Sequence, residues 1–226
     1  MTGRQAVQGS RYAISSTHSL ATEAGMRAFR RGGNAIDAGV AAGVALGVVE
    51  RDLVDLGGVA PIILFQPGLP APITLDGLRR WPSHLTLAGY LEKYRGTMPP
   101  GVPRSVTPAA MDSWLTALAD HGRLSLAEAL EPAIELAAGF PMYPRLAAAL
   151  SSEQNQLRQW PSSASVLLPD GSVPEFGDQF VQSDLQRMLE SLVAAERADD
   201  GDRASGILAA REHFHRGDPA FGSRLS

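Results

Sequence analysis

The stretch GGNAIDAGVAAGVALGVVE, Gly32 to Glu50, limits the possible folds more than any other, because it holds no charge between Asp37 and Glu50. From Ala38 to Val49 it is apolar all round, and a helix of that kind either crosses a membrane or is buried on every side. A span needs roughly 20 apolar residues, and the twelve here are too few. A buried helix is therefore expected. Glycines at 39, 43 and 47 recur every fourth residue and flatten one face. Each costs about 1 kcal/mol in helix propensity, which close packing of another element must offset. A phosphate loop is excluded, since that motif places a Lys after its last glycine and none follows here.

The flanks agree with a helical hairpin. Leu20 to Arg31 reads as a helix with Leu20, Ala24 and Ala28 on one face and Glu23, Arg27 and Arg31 on another. Arg30 and Arg31 suit the negative end of the helix dipole, and Gly32–Gly33 provide the stop. Asn34 then caps the second helix, with Asp37 in its acidic first turn.

Beyond Glu50 the pattern changes. Ile62 to Phe65 reads as a short buried strand that ends in the Pro67–Gly68 turn, and APITLDG returns beside it. The segment 78–108 is loop-rich, with prolines at 82, 99, 100, 103 and 108. Ala109–Asp120, Ser125–Ala138 and Pro144–Gln159 have helical spacing. A loop with the turn Pro169–Asp170–Gly171 follows, then a helix from Ser183 to about Arg197 and a final short helix after ADDGDRAS. There is no internal repeat and no long linker, so one continuous α+β domain over 1–226 is expected.

The 226 residues can bury a substantial core; 44% are hydrophobic, 19% are charged and the net charge is −4. That mild acidity gives no footing for nucleic acid, and no membrane partner is expected. With no cysteine, disulfides, thiolate metal sites and a cysteine nucleophile are excluded. The first 16 residues lack the apolar core of a signal peptide. The chain as written is thus expected in the cytoplasm, or in the periplasm or exterior if a leader has been removed.

Few residues suggest chemistry. Thr17 and His18 would point to opposite faces of a strand and so do not form a catalytic pair; a strand edge or a helix cap is expected. His213 and His215 share a side only if extended, with no third ligand evident, so a surface pair is expected. Met188 and Trp160 read as packing residues. Arg79 and Arg80 follow a strand end, in a loop, where functional groups concentrate. Either they form a solvated basic loop, or they grip a carboxylate through paired hydrogen bonds.

Four blocks in register carry a resemblance: STHSLATEAGMRAFRRGGNAIDAGVAAGVALGVVE, HGRLSLAEALEPAIELAAGFPMYPRLA, GDQFVQSDLQRMLESL and FHRGDPA. They are similar to the large-chain half of the γ-glutamyltranspeptidase family of N-terminal-nucleophile hydrolases. The resemblance covers nearly the whole chain. It implies a four-layer αββα sandwich, of which this chain is the helix-rich large-subunit part. It also implies a precursor that cuts itself in two, and a nucleophilic N-terminal Thr on the small partner chain, whose α-amine serves as base. The oxyanion-stabilising N–H groups would lie on that partner as well. No catalytic residue is expected in this chain, and no cofactor or metal.

Departures from the family pattern bear on the substrate. No Thr here has the small chain's Thr-Thr-His surroundings, and Thr17–His18 falls where the family has its first strand. The chain also stops soon after FHRGDPA, so a processed subunit or a fragment is expected. The family's S-G-I-G-G-G-G-F appears as VDLGGVAP, with Val59 and Ala60 replacing two glycines. Its L-D-F-R-E-T-A-P aligns with LDGLRRWP, which puts Leu78 in the place of the Arg that holds a γ-glutamyl α-carboxylate. A one-residue slip brings Arg79 there, with Arg80 the second candidate. TPAAMDSW also resembles the family's amidohydrolase branch. The resemblance therefore implies an amide hydrolase or acyl transferase with γ-glutamyl amides such as glutathione as default substrate. The alternatives are an acylase acting on another small amide (oxamate-like or a β-lactam side chain) and a degenerate, non-catalytic homologue.

Overall fold

The computed structural model describes residues 8–217. The first two helices, α1 (Ser19–Arg30) and α2 (Ala35–Val49), form the expected hairpin. The Gly32 N–H donates to the Phe29 carbonyl and the Gly33 N–H to the Ala28 carbonyl, both at 3.0 Å, which closes α1 in a Schellman turn. Gly32 takes φ +90°, a conformation that favours glycine. A capping box starts α2: the Asn34 side chain accepts the Ile36 and Asp37 N–H groups, and Asp37 accepts the Asn34 N–H. The two helices approach closely through small residues, Ala21, Ala24, Gly25 and Ala28 of α1 all being buried. A Cβ on Gly25 would lie 2.8 Å from the Ala38 carbonyl oxygen.

Helices α4 (Ala110–His121) and α5 (Leu126–Ala138) pack on α2, and α8 (Ser183–Ala198) and α9 (Arg203–Arg216) pack on α5 and α4 in turn. Val40, Val44 and Val48 of α2 join Leu115 and Leu118 of α4, Leu130 and Ala133 of α5, Leu189 and Leu192 of α8 and Ile207 of α9 in one buried cluster. The glycine face of α2 is used only in part. Gly43 lies under the Trp114 indole, where a Cβ would stand 2.9 Å from Nε1, and Gly47 lies under Leu56, while nothing approaches Gly39. Because Ala35 and Gly39 remain exposed, the expectation of burial on every side holds for the second half of the helix and fails at its start.

Peripheral elements complete the chain. Strands β1 (Ile62–Leu64) and β2 (Ile73–Leu75) pair antiparallel, Ile62 opposite Leu75 and Leu64 opposite Ile73. Between them the Leu69 N–H donates to the Gln66 carbonyl across Pro67–Gly68, with Gly68 at φ +92°. Two-residue strands β3 (Phe140–Pro141) and β4 (Gln179–Phe180) form a second ladder, with the Phe140 and Phe180 rings edge to face at 5.6 Å. Helix α6 (Pro144–Leu157) lies where the sequence spacing put it.

Several expectations need correction. Helix α3 (Leu87–Tyr94) and helix α7 (Pro161–Leu167) interrupt segments read as loops. Prolines flank α3 without entering it, and the Thr86 hydroxyl accepts the Gly89 N–H to start it. Proline at the first position of α7 has no N–H to satisfy, so it begins that helix rather than breaking it. Of the two alternatives at Thr17–His18, the strand edge does not form and the helix cap does: His18 caps α1, its Nδ1 accepting the Leu20 N–H at 3.2 Å. Strand β1 is not buried on both faces: Leu64 points into the core, but Ile63 is 78% and Phe65 62% exposed. The last helix, α9, is 14 residues long. Of the FHRGDPA block, Asp218–Ala220 lie outside the described residues. Among the described residues no helix is long and apolar enough to cross a membrane.

Side chains close the helix ends that packing leaves open. Glu196 of α8 accepts the Leu126 N–H at 2.5 Å and the Ala127 N–H at 3.0 Å at the start of α5. Arg203 donates to the Leu118, Ala119 and Leu124 carbonyls at the end of α4, where a cation suits the helix dipole. Pro132 inside α5 cannot bond the Glu128 carbonyl, and Arg31 donates to that oxygen at 3.3 Å.

The most buried of these groups is Asp37, which is 0% exposed. Its Oδ2 accepts the Asn34 N–H at 2.6 Å, and its Oδ1 accepts the Arg123 and Leu124 N–H groups at 2.8 and 2.9 Å. Asp37→Ala leaves all three donors unpaired, each costing about 1–3 kcal/mol. Urea unfolding of the full-length protein should therefore show a loss of roughly 3 kcal/mol or more, with Asp37→Asn, which keeps an acceptor at Oδ1, losing distinctly less. Equal losses for the two substitutions would contradict this account.

Candidate substrate-binding site

The β-hairpin and the start of α4 bring the two arginines to their place. Gly77, at φ +60°, ends β2 against the main chain of Ala60, where no Cβ fits, and the Ala60 N–H donates to the Gly77 carbonyl at 3.1 Å. The Gly58 carbonyl accepts the Ala109 and Ala110 N–H groups at 2.8 and 3.0 Å, which closes the open N-terminus of α4. Thr107 Oγ1 donates to the Arg80 carbonyl at 3.2 Å. The Gly57–Gly58 loop, the 77–80 segment and the first turn of α4 thus meet at one edge. Ala60 packs against the core, while Val59 and Leu78 are exposed.

At that edge Arg79 joins a cluster that sequence spacing does not reveal. Its Nη2 lies 3.2 Å from Oδ1 of Asp112, in the first turn of α4, and 3.2 Å from Nε2 of His215. Arg211, one turn before His215 on α9, places Nε 2.5 Å from the same Asp112 oxygen. Arginine only donates, so Nε2 of His215 is the acceptor and the imidazole is neutral with its proton on Nδ1. Burial works against ionised Asp112, but the Arg211 hydrogen bond and the charges of Arg211 and Arg79 outweigh it and hold its pKa below the ordinary value. Two guanidiniums on one carboxylate leave a surplus positive charge, with the Arg79 side chain 38% exposed. Arg80 is exposed as well and makes no ion pair among the described residues. Such an edge can hold an anion.

Sequence reasoning named Arg79 and Arg80 but missed Asp112 and Arg211, and it treated His215 only as half of a surface pair. On α9 His213 and His215 turn to different faces, two residues apart on a helix. The only sequence hint for Asp112 is its place in TPAAMDSW.

A second polar cluster joins two of the motif blocks. Glu50, buried at the end of α2, accepts Thr17 Oγ1 at 2.5 Å and Arg145 Nη2 at 3.2 Å. Arg145 also reaches Asp52 at 2.7 Å and Tyr143 Oη at 3.0 Å, and Tyr143 Oη donates to the Val49 carbonyl at 2.9 Å. His18 stacks edge-on to Tyr143 at 4.6 Å. The Thr17 hydroxyl is thus bound to a carboxylate and ties the entering chain to α2 and α6.

The gamma-glutamyltranspeptidase family model matches residues 21–211. The chain belongs to the gamma-glutamyltranspeptidase family. It is 32% identical over 210 residues to the glutathione hydrolase-like YwrD proenzyme of Bacillus subtilis, covering 91% of this chain and 40% of that protein. It is 36% identical over 208 residues to the acylase ACY 1 proenzyme of Pseudomonas sp. strain SE83, covering 87% of this chain and 37% of that protein. The chain therefore spans about two fifths of the length of these relatives. The crystal structure of Helicobacter pylori gamma-glutamyltranspeptidase superposes with TM-score 0.83 at 24% identity, over 97% of this chain and 60% of that one. The fold is that of the family's N-terminal-nucleophile hydrolases, and this chain is helix-rich, as expected of the large-subunit part.

Two histidines link this region to pH. Burial lowers the pKa of His215, as do Arg79 and Arg211, against Asp112 and Glu212. Burial also lowers that of His18, with Glu50 opposing and Arg145 assisting. The unfolded chain therefore takes up protons where the folded one does not. Their contribution to stability is full above the ordinary histidine value of 6.5 and is lost as pH falls through the folded values. Thermal melts of the full-length protein should give a Tm that declines as pH drops from about 7 to about 5.5, with a shallower decline in His215→Asn. A Tm that rises over that interval would contradict the assignment.

Proposed function

We propose that this chain is the large-subunit part of an amide hydrolase or acyl transferase whose nucleophile, an N-terminal Thr, is carried by a companion small chain released from a common precursor. Membership in the gamma-glutamyltranspeptidase family supports the chemistry, and the word proenzyme in the relatives' names supports the precursor. The default substrates are γ-glutamyl amides such as glutathione. Arg79 anchors the α-carboxylate and Arg80 stands second in the same loop. The observation that carries this reading is the surplus positive charge at the exposed Arg79, which Asp112 alone does not neutralise. An α-carboxylate fits that charge, since Arg pairs with carboxylates through parallel hydrogen bonds. Arg79→Ala in the assembled enzyme should raise KM for a γ-glutamyl anilide by about tenfold or more, and an unchanged KM would overturn the assignment.

One observation favours the acylase-like alternative. Leu78, in the aligned position of the family's carboxylate-binding Arg, is 52% exposed, and Trp81 close by is 51% exposed. An apolar acyl group suits such a surface better than an amino acid does. Turnover of a panel of γ-glutamyl, oxamate-like and aryl-acyl amides separates the readings.

The companion chain completes the single domain begun here. A two-stranded sheet is marginal by itself, and β1–β2 leaves Ile63 and Phe65 outward. Ile63→Asp together with Phe65→Asp in the full-length precursor should reduce the yield of assembled two-chain protein several-fold on size-exclusion chromatography. Normal assembly would rule out this face as the covered one.

A further inference from the structure

Arg79 does not have Asp112 to itself. Arg211 Nε stands 2.5 Å from Asp112 Oδ1, against 3.2 Å for Arg79 Nη2 on the same atom. Coulomb attraction falls with distance and charge-assisted hydrogen bonds strengthen as they shorten, so the carboxylate is committed mainly to Arg211. Neither guanidinium can lose its proton. His215 accepts from Arg79 and sits 3.5 Å from the carboxylate, which closes the inner side of the cluster without adding charge. Glu212, the remaining acid beside His215, is engaged by Arg216 at 3.0 Å.

Without Arg211, Asp112 and Arg79 are left as a one-to-one pair. A side-on carboxylate then takes both edges of the Arg79 fork, the arrangement guanidinium prefers, and the surplus charge disappears. An incoming carboxylate must then break that pair before it binds.

We propose that Arg211 is a positioning residue that draws the Asp112 carboxylate mainly onto itself, leaving the charge of the Arg79 guanidinium incompletely neutralised and its fork open for the substrate carboxylate. This rests on the reading of Arg79 as the carboxylate anchor, and the test keeps the two apart. It uses the assembled two-chain enzyme and two anilides, γ-glutamyl and 4-aminobutanoyl, which differ only in the α-carboxylate. The readout is the ratio of their kcat/KM values.

Arg211→Gln should lower that ratio by about three- to fivefold, the range set by a partly exposed ion pair. Adding Asp112→Asn to it should return the ratio toward the wild-type value, because the competing carboxylate is gone. Arg211→Lys, which keeps the charge, should lose less than Arg211→Gln. A contact that merely pins α9 to α4 gives the opposite result, the double variant being worse than the single. If Arg79→Ala collapses the ratio while Arg211→Gln leaves it intact, or if the double variant shows no recovery, the positioning role is overturned and the anchor stands. If the wild-type ratio is near one, or Arg79→Ala does not change it, the anchor itself falls and the positioning role with it.

Discussion

The carboxylate of Asp37 lies fully buried between the α1–α2 turn and the α4–α5 turn, and its three acceptor bonds go to main-chain N–H groups on both sides. A buried carboxylate is tolerated only when its lone pairs are met, and this one is met wholly by the backbone. The Asn34 side chain adds a donor bond to the His121 carbonyl at 2.7 Å, so cap and helix end are stitched together. That stitch fixes α4 relative to α2. Since Asp112 stands in the first turn of α4, it also fixes the height at which Asp112 meets Arg79. Burying α2 and presenting the arginines are therefore consequences of one packing arrangement.

Charge is handled differently in the two polar clusters. Around Glu50 the acids Glu50 and Asp52 share Arg145, and the Thr17 hydroxyl supplies a further donor. The result is a closed network with a surplus of negative charge. Around Asp112 two arginines share one acid, leaving an excess of positive charge at the protein's edge. The first binds the protein's own chain together. The second keeps its uncompensated charge exposed, where the proposed substrate carboxylate would meet it.

The local grammar of the chain was legible. The Schellman stop at Gly32–Gly33, the Asn34–Asp37 cap and the β-hairpin about Pro67–Gly68 all follow from residue types and spacing within a few positions. Helices α3 and α7 were less legible because proline marks both a helix start and a break, and only the position of the ring within the turn separates the two. Exposure of Ile63 and Phe65 was hidden as well: an apolar run does not say how many of its faces are covered within the same chain.

Sequence by itself determined the family, through four motif blocks in register, and it determined most of the helices and the glycine-flattened apolar one among them, because periodicity and caps act over three or four residues. It also singled out Arg79 and Arg80. Tertiary structure alone decided which residues surround them: Asp112, Arg211 and His215 lie far from Arg79 along the chain and leave no mark at any fixed spacing. It likewise turned Asp37 from a helix-capping acid into the buried tie between two turns. Ion pairing and burial depend on distances through space, and those exist only once the helices have packed.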